Sequence, residues 1–206
     1  MPDPNRASEI CELPYDVMST VEARQMADGR PLSFLHVSRP EIDLPQDIEI
    51  TDSSVYAKAR QNLDHLISEK ALRRDVQANY YLYRQIMGSH SQLGLVAVAS
   101  CAEYDDNTIR KHEFTRPDKE NDRVSHLEAL DAQTGPVFLT YSADKELDNL
   151  FNRVTEGNPN VDFTATDGVQ HTSWTVTSSE DTSFIDKKLS GIQNLYTADG
   201  HHRSAS

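Results

Sequence analysis

Within fifty residues this chain changes its hydrophobic period. Val55, Ala59, Leu63, Leu66 and Ile67 recur at helical spacing, which predicts a long helix over residues 54–74. Residues 79–87 (NYYLYRQIM) are aromatic and β-prone, Gly88 to Ser91 reads as a turn, and residues 93–101 (LGLVAVASC) read as a buried strand. A helix running straight into a hairpin points to an α+β fold: a mixed sheet with flanking helices.

The rest of the chain follows the same alternation. Ser19 with Glu22 three residues on forms a capping box, and the helix it opens runs to Asp28 and stops at Gly29. Residues 31–37 (PLSFLHV) and 108–114 read as short strands. Thr115 caps a helix with Pro117 in its first turn and Gly135 at its end. Residues 136–141 form a strand. A helix over Leu147, Leu150, Phe151 and Val154 follows, then a hairpin around Asp167-Gly168 and a helix over residues 181–189. The strand over residues 195–198 runs into Asp199-Gly200 and the start of a helix. The strands from Asn79 onward and this final strand are expected to share one sheet. Residues 1–12 read as an extended N-terminal arm, and residues 13–206 as a single incomplete unit.

Charge narrows the function. Twenty Lys and Arg against 33 Asp and Glu leave a net charge of −13 over 206 residues. Such a surface repels nucleic acid and anionic lipid, so neither is expected as a partner. No apolar run has the length of a membrane span. Cys11 and Cys101 stand apart, outside any C-x-x-C pair, which suits reduced thiols in a cytoplasmic protein. The eight histidines fall in no zinc-site spacing, and no Walker A loop, G-x-G-x-x-G or G-x-S-x-G is present.

Two clusters carry chemistry. In Asp199-Gly200-His201-His202-Arg203 the glycine allows a sharp turn after a strand. The helix start then offers N–H groups, and His201, His202 and Arg203 add donors suited to phosphate. Asp199 beside a phosphate makes sense as a Mg²⁺ ligand or as a base on a substrate hydroxyl. A polar turn with a cap explains the same five residues. In the second cluster, residues 111–123, a strand places Lys111 and Glu113 on one side and His112 on the other. The helix after it aligns Lys119, Asp122, Arg123 and His126. An ordinary solvated face of ion pairs is the alternative.

The stretches LPYDVMSTVEARQMADGRPLSFLHVSRPEIDLP, YYLYRQ, GLVAVASCAEY, IRKHEFTRPDKENDRVSHLEALDAQTGPVFLTY and LYTADGHHRSAS resemble the bacterial and archaeal domain-of-unknown-function family 1015. Members of that family are about twice this length, so the chain resembles their N-terminal half. The Asp199–Arg203 turn also resembles the phosphate-binding turn of the ParB/sulfiredoxin superfamily, which implies a similar fold around it. Gly200, His202 and Arg203 match the sulfiredoxin turn, while His201 stands at the reactive cysteine. The archaeal free-serine kinases of that superfamily carry a similar turn, with the Asp tied to catalysis.

The resemblance and the residues together imply a nucleotide-dependent phosphotransferase acting on a small hydroxylated metabolite, with ATP or ADP and Mg²⁺. Gly200, His201, His202 and Arg203 would hold phosphate, and Asp199 the metal or the acceptor hydroxyl. Glu113 or His112 would be the base, and Lys111, Lys119 and Arg123 would neutralise charge. The alternative is a non-catalytic module that binds a nucleotide or phosphorylated metabolite.

Overall fold

The computed structural model describes residues 1–206. In chain order the helices are α1 (Ala7–Ile10), α2 (Thr20–Ala27), α3 (Leu35–Ser38), α4 (Ser53–Ser68), α5 (Cys101–Asp105), α6 (Pro117–Leu130), α7 (Lys145–Thr155), α8 (Ser179–Leu189) and α9 (His201–Ala205). The strands are β1 (Tyr80–Met87), β2 (His90–Val96), β3 (Ile109–Arg110), β4 (Phe138–Thr140), β5 (Val161–Thr164), β6 (Gln170–Val176) and β7 (Leu195–Asp199). The fold is α+β. Where the sequence suggests one unit after an arm, the chain forms two compact units. One comprises Met1–Arg74, Phe114–Val137 and Gly200–Ser206, the other Asp75–Glu113 and Phe138–Asp199.

The first unit is helical. Ser19 and Glu22 make the expected capping box at α2, each side chain bonding the other's backbone N–H. Asp52 caps α4 by accepting from the Ser54 N–H at 2.8 Å. The α4 stripe Val55, Ala59, Leu63 and Leu66 is buried, and its last three residues join Ile10, Leu32, Val37, Ala71 and Leu130 in one apolar cluster. Each buried Leu there contributes on the order of 2 kcal/mol.

Helix α4 ends at Ser68, short of the predicted 74. Lys70 takes a left-handed φ of 58°, and Ala71 N–H and Lys70 N–H donate back to the carbonyls of Leu66 and Ile67. This pair of bonds is a Schellman stop that sequence periodicity does not register. Residues 31–37 are not a strand but a turn leading into α3. No neighbouring strand exists to pair with them, and a short apolar run does not by itself choose between the two states. The N-terminal residues are not an extended arm either. Asp3 N–H donates to the Ala71 carbonyl, the Met1 amine to that of Arg73, and Ala7 and Ile10 of α1 are buried.

Arginines satisfy the irregular backbone between these helices. The Arg39 guanidinium donates to the carbonyls of Tyr15 and Met18 and to the Glu41 carboxylate. Arg24 donates to the carbonyls of Glu41, Ile42 and Leu44. Loops that would otherwise bury bare carbonyls are thereby paired.

The second unit holds two sheets, one ordered β2-β1-β6-β5 and fully antiparallel, the other β3-β7-β4. In the smaller sheet β3 runs parallel and β4 antiparallel to β7. The expected single sheet is thus divided: β1 has both edges taken, by β2 and β6, so β7 cannot join it there. β2 forms an edge, and its sequel is exposed rather than buried; Val98 is fully open and Cys101 begins α5. Leu82, Trp174 and Val176 of the larger sheet cluster with Leu147, Leu150 and Phe151 of α7 and Ile185 of α8. No helix is long and apolar enough to cross a membrane.

Candidate functional site

In the first unit α6 and α9 border an open cleft. Glu12, Tyr15, Ser38, Arg123, His126, Gln133, Thr134, Gly135 and Arg203 are among the residues that line it, around a space of about 410 Å³ that includes its mouth.

Helix α6 supplies one wall. Pro117 opens it, and Arg116 rather than Thr115 is its N-cap; the Thr115 hydroxyl donates to Glu120. His126 and Leu130 face inward, and the helix stops when Asp131 turns left-handed, before Gly135. Arg123 lies one turn before His126, hence on the same side. Its guanidinium grips Asp122 at 2.6 and 3.1 Å and sits 5.4 Å from the Tyr15 ring centroid. Burial works against the charge of Arg123, but the Asp122 carboxylate outweighs it and the pKa is raised. Asp122 also accepts from the Tyr56 hydroxyl at 3.0 Å, and burial first, then Asp122, pushes that phenol up to about 12. Buried His126 donates from Nε2 to the Val37 carbonyl at 2.9 Å. Burial lowers its pKa and keeps the ring neutral.

The facing wall holds Arg203. Gly200 has φ +85°, in the left-handed region that glycine adopts freely, and is the N-cap of α9. The Arg203 side chain then runs over Gly135, where an added Cβ would lie 2.8 Å from Arg203 Cδ. Its Nη1 donates to the Pro136 carbonyl at 2.6 Å, and its Nη2 is 3.9 Å from Asp16. The glycine at 135 is what makes room for the arginine.

Glu12 completes the lining. Its Oε2 accepts from the Ser38 hydroxyl at 2.7 Å. Burial pushes this carboxyl up to about 7, against the opposing pull of the Ser38 hydrogen bond. In the sequence Glu12 is the last residue of the segment expected to be an extended arm. The one available signal was an acid set among Ile10, Cys11 and Leu13.

Of the residues singled out from sequence, Arg123, His126 and Arg203 meet in this cleft. The others are placed elsewhere. His202 accepts the Arg116 backbone N–H at Nε2, 3.1 Å away, which fixes α9 to the start of α6. His201 is buried, and Lys119 is on the exposed side of α6. Lys111, His112 and Glu113 follow β3 without strand structure, so the expected alternation of their side chains does not arise. Lys111 donates to the Tyr104 carbonyl at 2.8 Å and covers that ring at 3.7 Å. Asp199 closes β7 opposite Phe138 and is exposed. These last four residues belong to the second unit.

No curated protein and no solved structure matches the chain. The family described as "Protein of unknown function (DUF1015)" matches it over residues 1–206, and the chain belongs to that family.

Proposed function

We propose that the first unit binds a phosphate-bearing small molecule, a nucleotide in the first instance, and that the protein uses it in phosphoryl transfer to a small hydroxylated metabolite. The observation that carries the binding is the meeting of Arg123 and Arg203, about 80 residues apart in sequence, on one cleft. Guanidinium groups held by Asp122 and by the Pro136 carbonyl are preorganised donors, and phosphate oxygens suit their geometry. Phosphoryl transfer asks mainly for positioning and charge compensation, which such a wall supplies. The likeness of Asp199–Arg203 to the ParB/sulfiredoxin turn points the same way, with Mg²⁺ at Asp199 in that reading.

One observation favours a second reading, a binding module without turnover. Lys111, His112, Glu113 and Asp199, the groups proposed for chemistry, are not among the residues lining the cleft.

Thermal melting with ATP, ADP and AMP, each with and without Mg²⁺, tests the binding. A ligand at about 100 times its Kd adds about 2.7 kcal/mol, a shift of several degrees. The shift should fall sharply in Arg123→Gln and Arg203→Lys. Absence of any shift in the native chain would refute the reading. If a nucleotide binds, turnover with hydroxylated acceptors separates enzyme from module.

A further inference from the structure

Glu12 lines the same cleft as Arg123 and Arg203, and only one of its two carboxyl oxygens is engaged by the protein. Ser38 Oγ donates to Oε2 at 2.7 Å and lies 3.3 Å from the Phe34 carbonyl oxygen. This serine ends α3, and Phe34 is fixed in turn by its N–H to the Ile10 carbonyl at 2.9 Å, so the position of Oε2 is set by the fold. A carboxyl held by one oxygen has the other left to carry a proton. In that form it is a hydrogen-bond donor without charge, which a phosphate oxygen accepts; ionised, it repels the same oxygen.

We propose that Glu12 is an anion-binding residue of this cleft, working as the uncharged acid that donates its O–H to an oxygen of the bound phosphate. The inference rests on the cleft being an anion site. It gives the ligand a third contact beside the two arginines and makes binding take up a proton. The carboxyl sits near 7 for reasons of burial, so neutral solution holds it ready for that exchange.

Several segments bring charged and titratable groups near it, and Arg30 donates from Nη2 to the Cys11 carbonyl at 3.1 Å on the segment of Glu12 itself. Arg123 and His126 come from α6, Arg203 from α9, and Tyr15 and Asp16 from the turn after Pro14. On its own segment the Cys11 thiol donates to the Glu12 carbonyl at 3.7 Å. Asp122 outweighs burial at Arg123 and holds that guanidinium charged. His126 is held neutral by burial, so its titration falls on the acid side of Glu12. Asp16 is half exposed.

Sulfate is the probe, because it stays a dianion from pH 5.5 to 8.5 and any proton taken up belongs to the protein. Calorimetric titration of the full chain should show sulfate affinity falling about tenfold between pH 6 and pH 8, as the competent acid form is depleted. Proton uptake, read from buffers of different ionisation enthalpy, should approach one at pH 8. Glu12→Gln keeps a neutral donor at the same place. It should bind with the native pH 6 affinity and show no slope. A flat profile in the native chain, or the same slope in Glu12→Gln, would overturn the role of Glu12 while leaving the anion site intact. No binding of sulfate or AMP at any pH would overturn the anion site itself, and this inference with it.

Discussion

Replacing Glu12 by Gln in the ligand-free protein should raise stability at high pH relative to the native chain. The carboxyl has its pKa moved from 4.5 to about 7 by burial. The folded chain therefore holds this proton in a range where the unfolded chain has lost it, and stability falls as pH rises from 4.5 through 7. The contribution is present in full below 4.5 and gone above 7. At 1.36 kcal/mol per unit, the loss between pH 5 and pH 8 is about 2.5 kcal/mol. Glutamine keeps the shape and can still accept from Ser38, but it does not titrate. The difference in unfolding free energy, variant minus native, should thus rise by about 2.5 kcal/mol from pH 5 to pH 8. Urea unfolding of both proteins at the two pH values measures it, as a relative midpoint change of about 1 M. His36, raised by its hydrogen bond to Asp43, and His126, lowered by burial, contribute opposite slopes. Both are present in both proteins, so they cancel in the difference. Parallel loss of stability in the two proteins would refute the assignment of a buried, proton-retaining acid at position 12.

Other perturbations address the rest of the structure. Gly135→Ala brings a Cβ to 2.8 Å from Arg203 Cδ, so the arginine must move. The nucleotide-induced melting shift should shrink while stability changes by less than about 1 kcal/mol. His126→Leu leaves the Val37 carbonyl without its donor and should cost about 1–3 kcal/mol in urea unfolding. Leu82→Ala empties a fully buried position beside Trp174, the only tryptophan of the chain. It should cost about 2–5 kcal/mol and alter tryptophan fluorescence; an unchanged emission would argue against that core. Arg39→Met strips donors from the Tyr15 and Met18 carbonyls. Amide exchange over residues 15–18 should rise well before that of α4.

Local chemistry was legible where its cause was local. The Ser19–Glu22 capping box, the hairpins around Gly88-Ser89 and Asp167-Gly168, and the strand–glycine–helix at Asp199–His201 depend on a few adjacent residues. Each forms as its sequence implies. The failures lie where a distant partner decides. Residues 31–37 have strand composition but no strand to join. β1 shows nothing in its own residues to say that β6 rather than β7 takes its second edge. At the candidate site, Arg123 and Arg203 were recognisable as phosphate donors by type. Glu12 was not, because its chemistry comes from burial, which only the folded chain creates.

The interleaving of the two units bears on the order in which the cleft is assembled during synthesis. Glu12, Ser38 and Arg123 emerge first, while Arg203 follows after the whole of the second unit has been made. At about 5–20 residues per second, the ribosome needs on the order of ten seconds to add the roughly 80 residues between the two arginines. Through that interval the nascent cleft has one guanidinium wall, and α6 starts without the imidazole of His202 on the Arg116 N–H. A phosphorylated ligand of the proposed kind, which needs both arginines, therefore finds no complete cleft before Arg203 has been added.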